Sequence, residues 1–191
     1  MSELILPTRF CPPPAYYRMM VMHSGRVSIC HDERFDKRCK SAHRTAIADT
    51  RGVLELTVPI EKPYGRTWAQ TRVSLHGRWW EVMTTALESA YGRTPFFEFY
   101  ADDFLPIIAN PDTFTTVSDL NARFDAAIRR AIGLNCPVEA APQGAIPVAV
   151  EPWEPEPYWQ VRAEKLGFVG GLSILDMVFN LGPETLIYLQ R

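Results

Sequence analysis

A chain of 191 residues that is 47% hydrophobic and 22% charged has enough apolar material for one folded core, which excludes global disorder. A net charge of −2 and a pI near 6.1 exclude a dedicated duplex DNA binder. No uncharged apolar run reaches the roughly 18 residues of a membrane span, so no membrane insertion is expected.

The opening MSELILPT has no basic segment and no long apolar run before Pro7, so the expected location is cytoplasmic. Pro12, Pro13 and Pro14 precede AYYRMMVM and suit the first turn of a helix, where a missing N–H has no intrahelical partner. After Gly25, RVSIC (Arg26–Cys30) alternates as a strand. The segment from His31 to Thr45 is polar and basic and reads as a loop. Thr50, Arg51 and Gly52 form a turn, and Val53–Val58 is a strand stopped by Pro59. Trp68–Leu75 is expected as a further strand, and Trp79–Tyr91 as a helix ended near Gly92.

An aromatic run follows: Phe96, Phe97, Phe99, Tyr100 and Phe104. A helix begins at Ser118, with Leu120, Phe124, Ile128 and Ile132 on its apolar face and Gly133 at its stop. Residues 136–157 hold Pro137, Pro142, Pro147, Pro152, Pro155 and Pro157, the composition of an extended connection. Tyr158–Leu166 and Ser173–Asn180 read as helices and Glu184–Leu189 as a strand. The fold class that follows is mixed α/β (α+β), a single compact domain over 1–191 with a helical portion and a Pro-rich connection.

The charge is unevenly spread. Residues 1–95 carry 14 Lys/Arg and 9 Asp/Glu, whereas residues 96–191 carry 6 and 13. Arg34, Lys37, Arg38, Lys40 and Arg44 form a basic cluster beside His43 that suits an anionic phosphorylated small molecule. Cys11, Cys30, Cys39 and Cys136 form no CxxC pair, and Cys30-His31 with Cys39 and His43 lacks finger spacing, so no metal site is expected. No phosphate-loop, dinucleotide, nucleophile-elbow or HExxH motif is present, and the cofactor is left open.

Five stretches together resemble the WbqC-like family: FCPPPAYY (Phe10–Tyr17), FDKRCKSAHRTAI (Phe35–Ile47), LTVPIEK (Leu56–Lys62), Thr71–Tyr100 and LSILDMVFNLGPE (Leu172–Glu184). Where the family pattern has Asn-Arg, this chain has His43-Arg44, so Arg44 carries over and His43 departs. The resemblance implies a link to bacterial O-antigen or other surface-polysaccharide biosynthesis. It implies transfer of an acyl or aminoacyl group onto a phosphorylated or nucleotide-activated sugar.

On that reading Arg44, Arg72 and Arg78 hold phosphate through paired guanidinium hydrogen bonds. His43 or His76 moves a proton, oriented by Asp176. Tyr16, Tyr91 and Asn180 complete the ligand-binding set. Each has a bland counterpart: Asp176 follows Ser173 at the spacing of a helix-capping box, and Tyr91 suits core packing as well as a pocket wall. Two other classes fit the same residues. One is a non-catalytic adaptor that binds a pathway enzyme through the proline-rich and aromatic surface. The other is an RNA-binding protein using the basic cluster.

Overall fold

A computed structural model describes residues 3–191. Its frame is a small parallel sheet, an antiparallel hairpin and a group of helices around one buried helix. Strand β1 (Glu3–Pro7) is followed by α1 (Pro14–Met22) and β2 (Arg26–Cys30), and β1 pairs with β2 in parallel. Parallel pairing requires a crossover, and α1 supplies it. The hairpin is β3 (Arg44–Asp49) with β4 (Gly52–Thr57). Helices α2 (Trp79–Tyr91), α3 (Phe97–Ala109) and α4 (Val117–Ala131) follow, then β5 (Val138–Ala140) on the other side of β2. The chain ends in α5 (Ala163–Leu166), α6 (Ile174–Leu181) and α7 (Thr185–Gln190).

Every residue of α6 is buried, Asp176 and Asn180 included. A helix that is apolar nearly all round belongs at the centre of a core, and α6 packs against α2, α3, α4 and α7. Aromatic rings fill the space between them. Phe179 lies 5.1 Å from Tyr91, 5.1 Å from Phe97 and 5.7 Å from Phe104. Phe124 of α4 meets Phe10 edge-on at 5.3 Å and stacks on Phe104 at 6.3 Å.

The mixed α/β class and the single compact domain agree with the sequence reading. Several elements do not. Strand β1 lies in a segment assigned no element, and β3 begins at Arg44 inside the expected loop. Trp68–Leu75 is not a strand, because its backbone groups pair with several segments rather than along one. Trp68 N–H donates to Glu33 O, Val73 N–H to Thr115 O and Ser74 N–H to Pro59 O. Tyr158–Leu166 is helical only from Ala163, since the Val161 N–H is taken by Asn180 Oδ1.

Glu184–Leu189 is likewise no strand. Its residues form α7, which buries Thr185 and Leu189 four apart against α1, and Arg18 of α1 donates to the Leu189 carbonyl at 2.9 Å. The proline-rich connection is extended, as its composition requires, yet it also docks on the sheet. It contributes β5, Ala141 N–H donates to Ile29 O, and Val148 N–H donates to Ile5 O. Gly144, at φ +80°, makes the turn between those contacts, where a side chain would be strained.

Phe124 is 1% exposed and couples α4 to both the sheet side and α3. Phe124→Ala is expected to cost about 3–5 kcal/mol of unfolding free energy, to be measured by urea denaturation. A loss below about 1 kcal/mol would show that the ring contacts leave no unfilled space.

Candidate functional site

The carboxyl ends of β1 and β2 lie side by side, with Pro7 opposite Cys30. Residues that leave the strands there meet the buried face of α4 and the first turn of α1. A small cavity of about 10 Å³ is lined by Thr8, Arg9, Tyr16, His31, Asn121 and Asp125, among others. In parallel sheets the region beyond the carboxyl ends of the strands is the usual place for a ligand.

The polar groups here are held tightly. Arg9 makes a paired contact with Glu33, at 2.7 and 3.3 Å, and donates to Thr8 O at 2.7 Å. Tyr16 Oη donates to Pro7 O at 2.9 Å. Asn121 Nδ2 donates to Thr8 Oγ1 at 3.2 Å and to Ala42 O at 2.9 Å. Asp125 Oδ2 accepts from Arg129 Nε at 2.8 Å, and Ser118 Oγ donates to the His31 carbonyl at 3.0 Å. Four side-chain atoms in this region are buried without a hydrogen bond: Tyr17 Oη, His31 Nδ1, Asn121 Oδ1 and Asp125 Oδ1. Buried polar atoms are normally paired, so such a concentration calls for an explanation.

Burial sets the protonation of the group. It raises the Asp125 carboxyl above the ordinary range, against the pull of Arg129. Burial lowers the His31 imidazole, while Asp125 and Asp32 oppose the shift. Tyr16 and Tyr17 are both driven up, first by burial. Cys11, in the proline-rich opening, is pushed well up by burial alone and stays a thiol, which makes it a poor nucleophile.

Two larger cavities adjoin this cluster. One of about 840 Å³ lies between the loop Asp32, Glu33, Arg34, Phe35, Asp36, Arg38 and the connection Gly144–Pro147. The loop is anchored by Phe35, which stacks on Tyr64 at 4.7 Å and packs on Trp68 at 4.7 Å. Its backbone is tied by Phe35 N–H to Arg66 O at 2.9 Å. The other, about 470 Å³, is mostly apolar, with Pro12, Pro13, Ala15, Val150 and Trp153 in its wall and Arg9 and Tyr16 among its polar members. The Arg9–Glu33 pair therefore joins all three spaces: Glu33 lines the first, and Arg9 lines the second and the small cavity.

The residues singled out in the sequence are placed as follows. Arg44 pairs with Glu55 across the hairpin at 2.6 Å, Arg72 with Glu61 at 3.1 Å, and Arg78 with Glu81. His43 is buried, its ring stacked on Trp68 at 5.9 Å and its Nδ1 2.9 Å from Val58 O, and burial lowers its pKa. His76 is exposed on a short turn before α2. Tyr91 is buried beside Phe179, and its hydroxyl stands near Asp176 without completing a hydrogen bond. None of Arg44, Arg72, His76 and Asp176 lines either of the two large cavities; Arg72 lines a separate space of about 190 Å³ with Glu61 and Phe114. Tyr16 does reach the cluster.

Asp176 and Asn180 form a separate buried network. Asp176 Oδ2 accepts from Tyr158 Oη at 2.6 Å and Gln160 Nε2 at 2.8 Å. Asn180 Nδ2 donates to Asp176 O at 2.7 Å. The Asp176 carboxylate does not cap α6; Ser173 Oγ does, accepting from Leu175 N–H at 3.2 Å. Among the described residues, no three His, Cys, Asp or Glu side chains are grouped to hold a metal ion. None of the helices there is long and apolar enough to cross a membrane.

Sequence reasoning missed Arg9, His31, Glu33, Asn121 and Asp125. One signal was available for two of them. Asn121 and Asp125 lie four residues apart along the buried edge of an apolar helix stripe, where polar side chains need a purpose. Arg9 needed strand β1 to be placed at all.

A model of the WbqC-like protein family matches residues 8–148. That span contains the whole cluster and both walls of the 840 Å³ cavity. It ends before Leu172–Glu184, to which the resemblance in the sequence extends. No curated protein and no solved structure is matched.

The Asp176 network carries a stability prediction. Asp176→Ala strands the Tyr158 and Gln160 donors, at a cost of about 1–3 kcal/mol for each unpaired group, whereas Asp176→Asn keeps an acceptor. Burial raises the folded pKa of Asp176 above its unfolded value. Its contribution is therefore greatest at low pH and is lost as pH rises through the folded pKa. Thermal melts are expected to show wild type gaining on Asp176→Asn as pH falls from neutral toward about 4. A gap that does not vary with pH would mean the carboxyl is not perturbed.

Proposed function

This chain belongs to the WbqC-like protein family, and on that premise we propose that it transfers an acyl or aminoacyl group onto a phosphorylated or nucleotide-activated sugar. Membership points to a sugar-related biosynthetic pathway; precursor supply for a surface polysaccharide is the finer reading. The observation that carries it is the 840 Å³ crevice beyond the carboxyl ends of parallel strands, with Arg34 and Arg38 in its wall. Its volume falls within the range of small-molecule sites, about 300–1,000 Å³.

The crevice has the mixed chemistry a sugar phosphate needs. Arg34 and Arg38 supply guanidinium donors for phosphate. Arg38 now pairs with Asp36 at 3.1 Å, both side chains in contact with solvent, so a phosphate competes for it without breaking a buried contact. Asp32, Glu33 and Asp36 line the same space and accept hydrogen bonds from sugar hydroxyls. The reading places the phosphate on Arg34 and Arg38 rather than on Arg44, Arg72 and Arg78, whose carboxylate partners lie outside this crevice. The adjoining 470 Å³ cavity, with its proline and tryptophan walls, suits the apolar body of an activated acyl donor. Holding donor and acceptor on either side of the Arg9–Glu33 pair is catalysis by positioning.

The test is a thermal-shift titration with UDP-N-acetylglucosamine, UDP, acyl donors and short RNA. Saturable stabilisation by the nucleotide-sugar, weakened at least about tenfold in apparent affinity by Arg34→Ala/Arg38→Ala, is expected. Stabilisation by RNA alone, or by no small molecule while the protein stays folded, would overturn the reading.

A further inference from the structure

We propose that the 470 Å³ cavity beside α1 takes an aminoacyl group with an apolar side chain and a free, positively charged amine, and that Glu151 and Glu154 hold that amine. The proposal rests on the group-transfer reading and narrows its donor from an acyl or aminoacyl group to an aminoacyl one.

The charges in the cavity wall are not balanced. Arg9, Glu151 and Glu154 line it. The Arg9 guanidinium is already met: it pairs with Glu33 at 2.7 and 3.3 Å and donates to Thr8 O at 2.7 Å. Both side chains of that pair are mostly buried. A ligand anion would have to displace Glu33 to reach Arg9, and it would be repelled by the two glutamates of the wall. Tyr16 is spent as well, its hydroxyl donating to Pro7 O at 2.9 Å. The acidic members keep free acceptors. Among the described residues the Glu151 carboxylate has no hydrogen bond or ion pair. Glu154 accepts at Oε2 alone, from Gly171 N–H at 3.1 Å. The wall therefore offers negative charge and unfilled acceptors, which a protonated amine satisfies and a plain acyl chain does not.

The rest of the cavity suits an apolar side chain and is held in shape. Pro12 and Pro13, which lead into α1, and Val150, Pro152 and Trp153 of the connection supply apolar surface. The Arg18 guanidinium lies over the Trp153 ring, 4.6 Å from its centroid, and donates to Leu189 O at 2.9 Å, so the ring is pinned to α1. The Glu154 carboxylate is placed too. Gly171 lines the cavity, so the hydrogen bond from its N–H sets that carboxylate in the wall. A Cβ at Gly170 would lie 2.7 Å from Glu154 Oε2, so glycine there leaves room for it. A few placed polar groups in an otherwise apolar pocket fix the identity and orientation of a ligand. An amino acid whose carboxyl has been activated has the matching charge: its amine stays positive at neutral pH, and the carboxylate that two glutamates would repel is gone.

The experiment follows the indole N–H signals of the five tryptophans in the whole protein by NMR, with Trp153 assigned by the signal missing in Trp153→Phe. L-Leucinamide carries the apolar side chain and the amine; isocaproamide is the same molecule without the amine. Leucinamide is expected to move the Trp153 signal saturably at neutral pH, with isocaproamide at least about tenfold weaker, the size of losing a hydrogen bond to a charged group. Equal affinities, or no saturable shift by leucinamide, would overturn the proposal, and this arm needs no variant of the glutamates. Glu151→Gln/Glu154→Gln is expected to bring leucinamide down to the affinity of isocaproamide, the remaining indole signals showing that the variant is folded. A folded variant that binds leucinamide as tightly as wild type would overturn the assignment to these glutamates. If leucinamide behaves as expected while UDP-N-acetylglucosamine does not stabilise the protein, the amine site stands and the nucleotide-sugar reading falls. If the nucleotide-sugar binds and leucinamide does not, the transfer reading stands with an uncharged donor and the amine site falls.

Discussion

A helix buried on every side has no water to turn to, so each polar side chain it carries must find a partner within the protein. Helix α6 is in that position, with Asp176 and Asn180 among its eight residues. Both draw their partners from the segment that follows the proline-rich connection: Tyr158 and Gln160 for Asp176, the Val161 N–H for Asn180. This one requirement stops Tyr158–Val161 from being helical and returns the connection to the core. The connection's path back from β5 then supplies Gly144–Pro147 and Val150–Glu154, which wall the two large cavities. The central helix thus shapes the crevice without touching it.

Beyond the carboxyl ends of the parallel strands, a second set of buried polar groups is only partly satisfied. The Asp176 carboxylate has two donors and a neighbour that secures the backbone, and beside it the Tyr91 hydroxyl alone is left without a hydrogen bond. The cluster of Tyr17, His31, Asn121 and Asp125 leaves one atom open on each residue, and Arg9 beside it reaches the 470 Å³ cavity. The first arrangement has the character of a structural fastening, since a largely satisfied network rigidifies, while the second leaves more of its buried polar atoms without partners. The charge asymmetry fits this division. The basic first half provides Arg9, Arg34 and Arg38, and the more acidic second half provides Asp125, Glu151 and Glu154 around them.

Much of the helical frame was legible. Trp79–Tyr91 and the helix beginning near Ser118 show apolar residues at three- and four-residue spacing, and both are helices with that face buried. The proline-rich composition of 136–157 correctly excluded a helix there. The strands of the parallel sheet were harder. Glu3–Pro7 and Val138–Ala140 are five and three residues long, too short for periodicity to declare them, and each exists because Arg26–Cys30 offers it an edge. Glu184–Leu189 reads as a strand from its β-favouring residues, yet α1 offers it a helix-packing surface and no strand edge.

The basic cluster at 34–44 was visible as charge, and two of its members, Arg34 and Arg38, line the crevice, whereas Arg44 turns to Glu55 on the hairpin. Composition and local spacing determine which segments are apolar, where helices start and stop, and how charge is distributed, because these depend on neighbours within a few residues. Family membership is also written in the chain. What only the tertiary structure decided is which polar residues meet. Arg9 with Glu33, and Thr8 with Asn121, are 24 and 113 residues apart in the chain. No local rule couples such pairs; they form because two parallel strands end together under a helix that arrives much later.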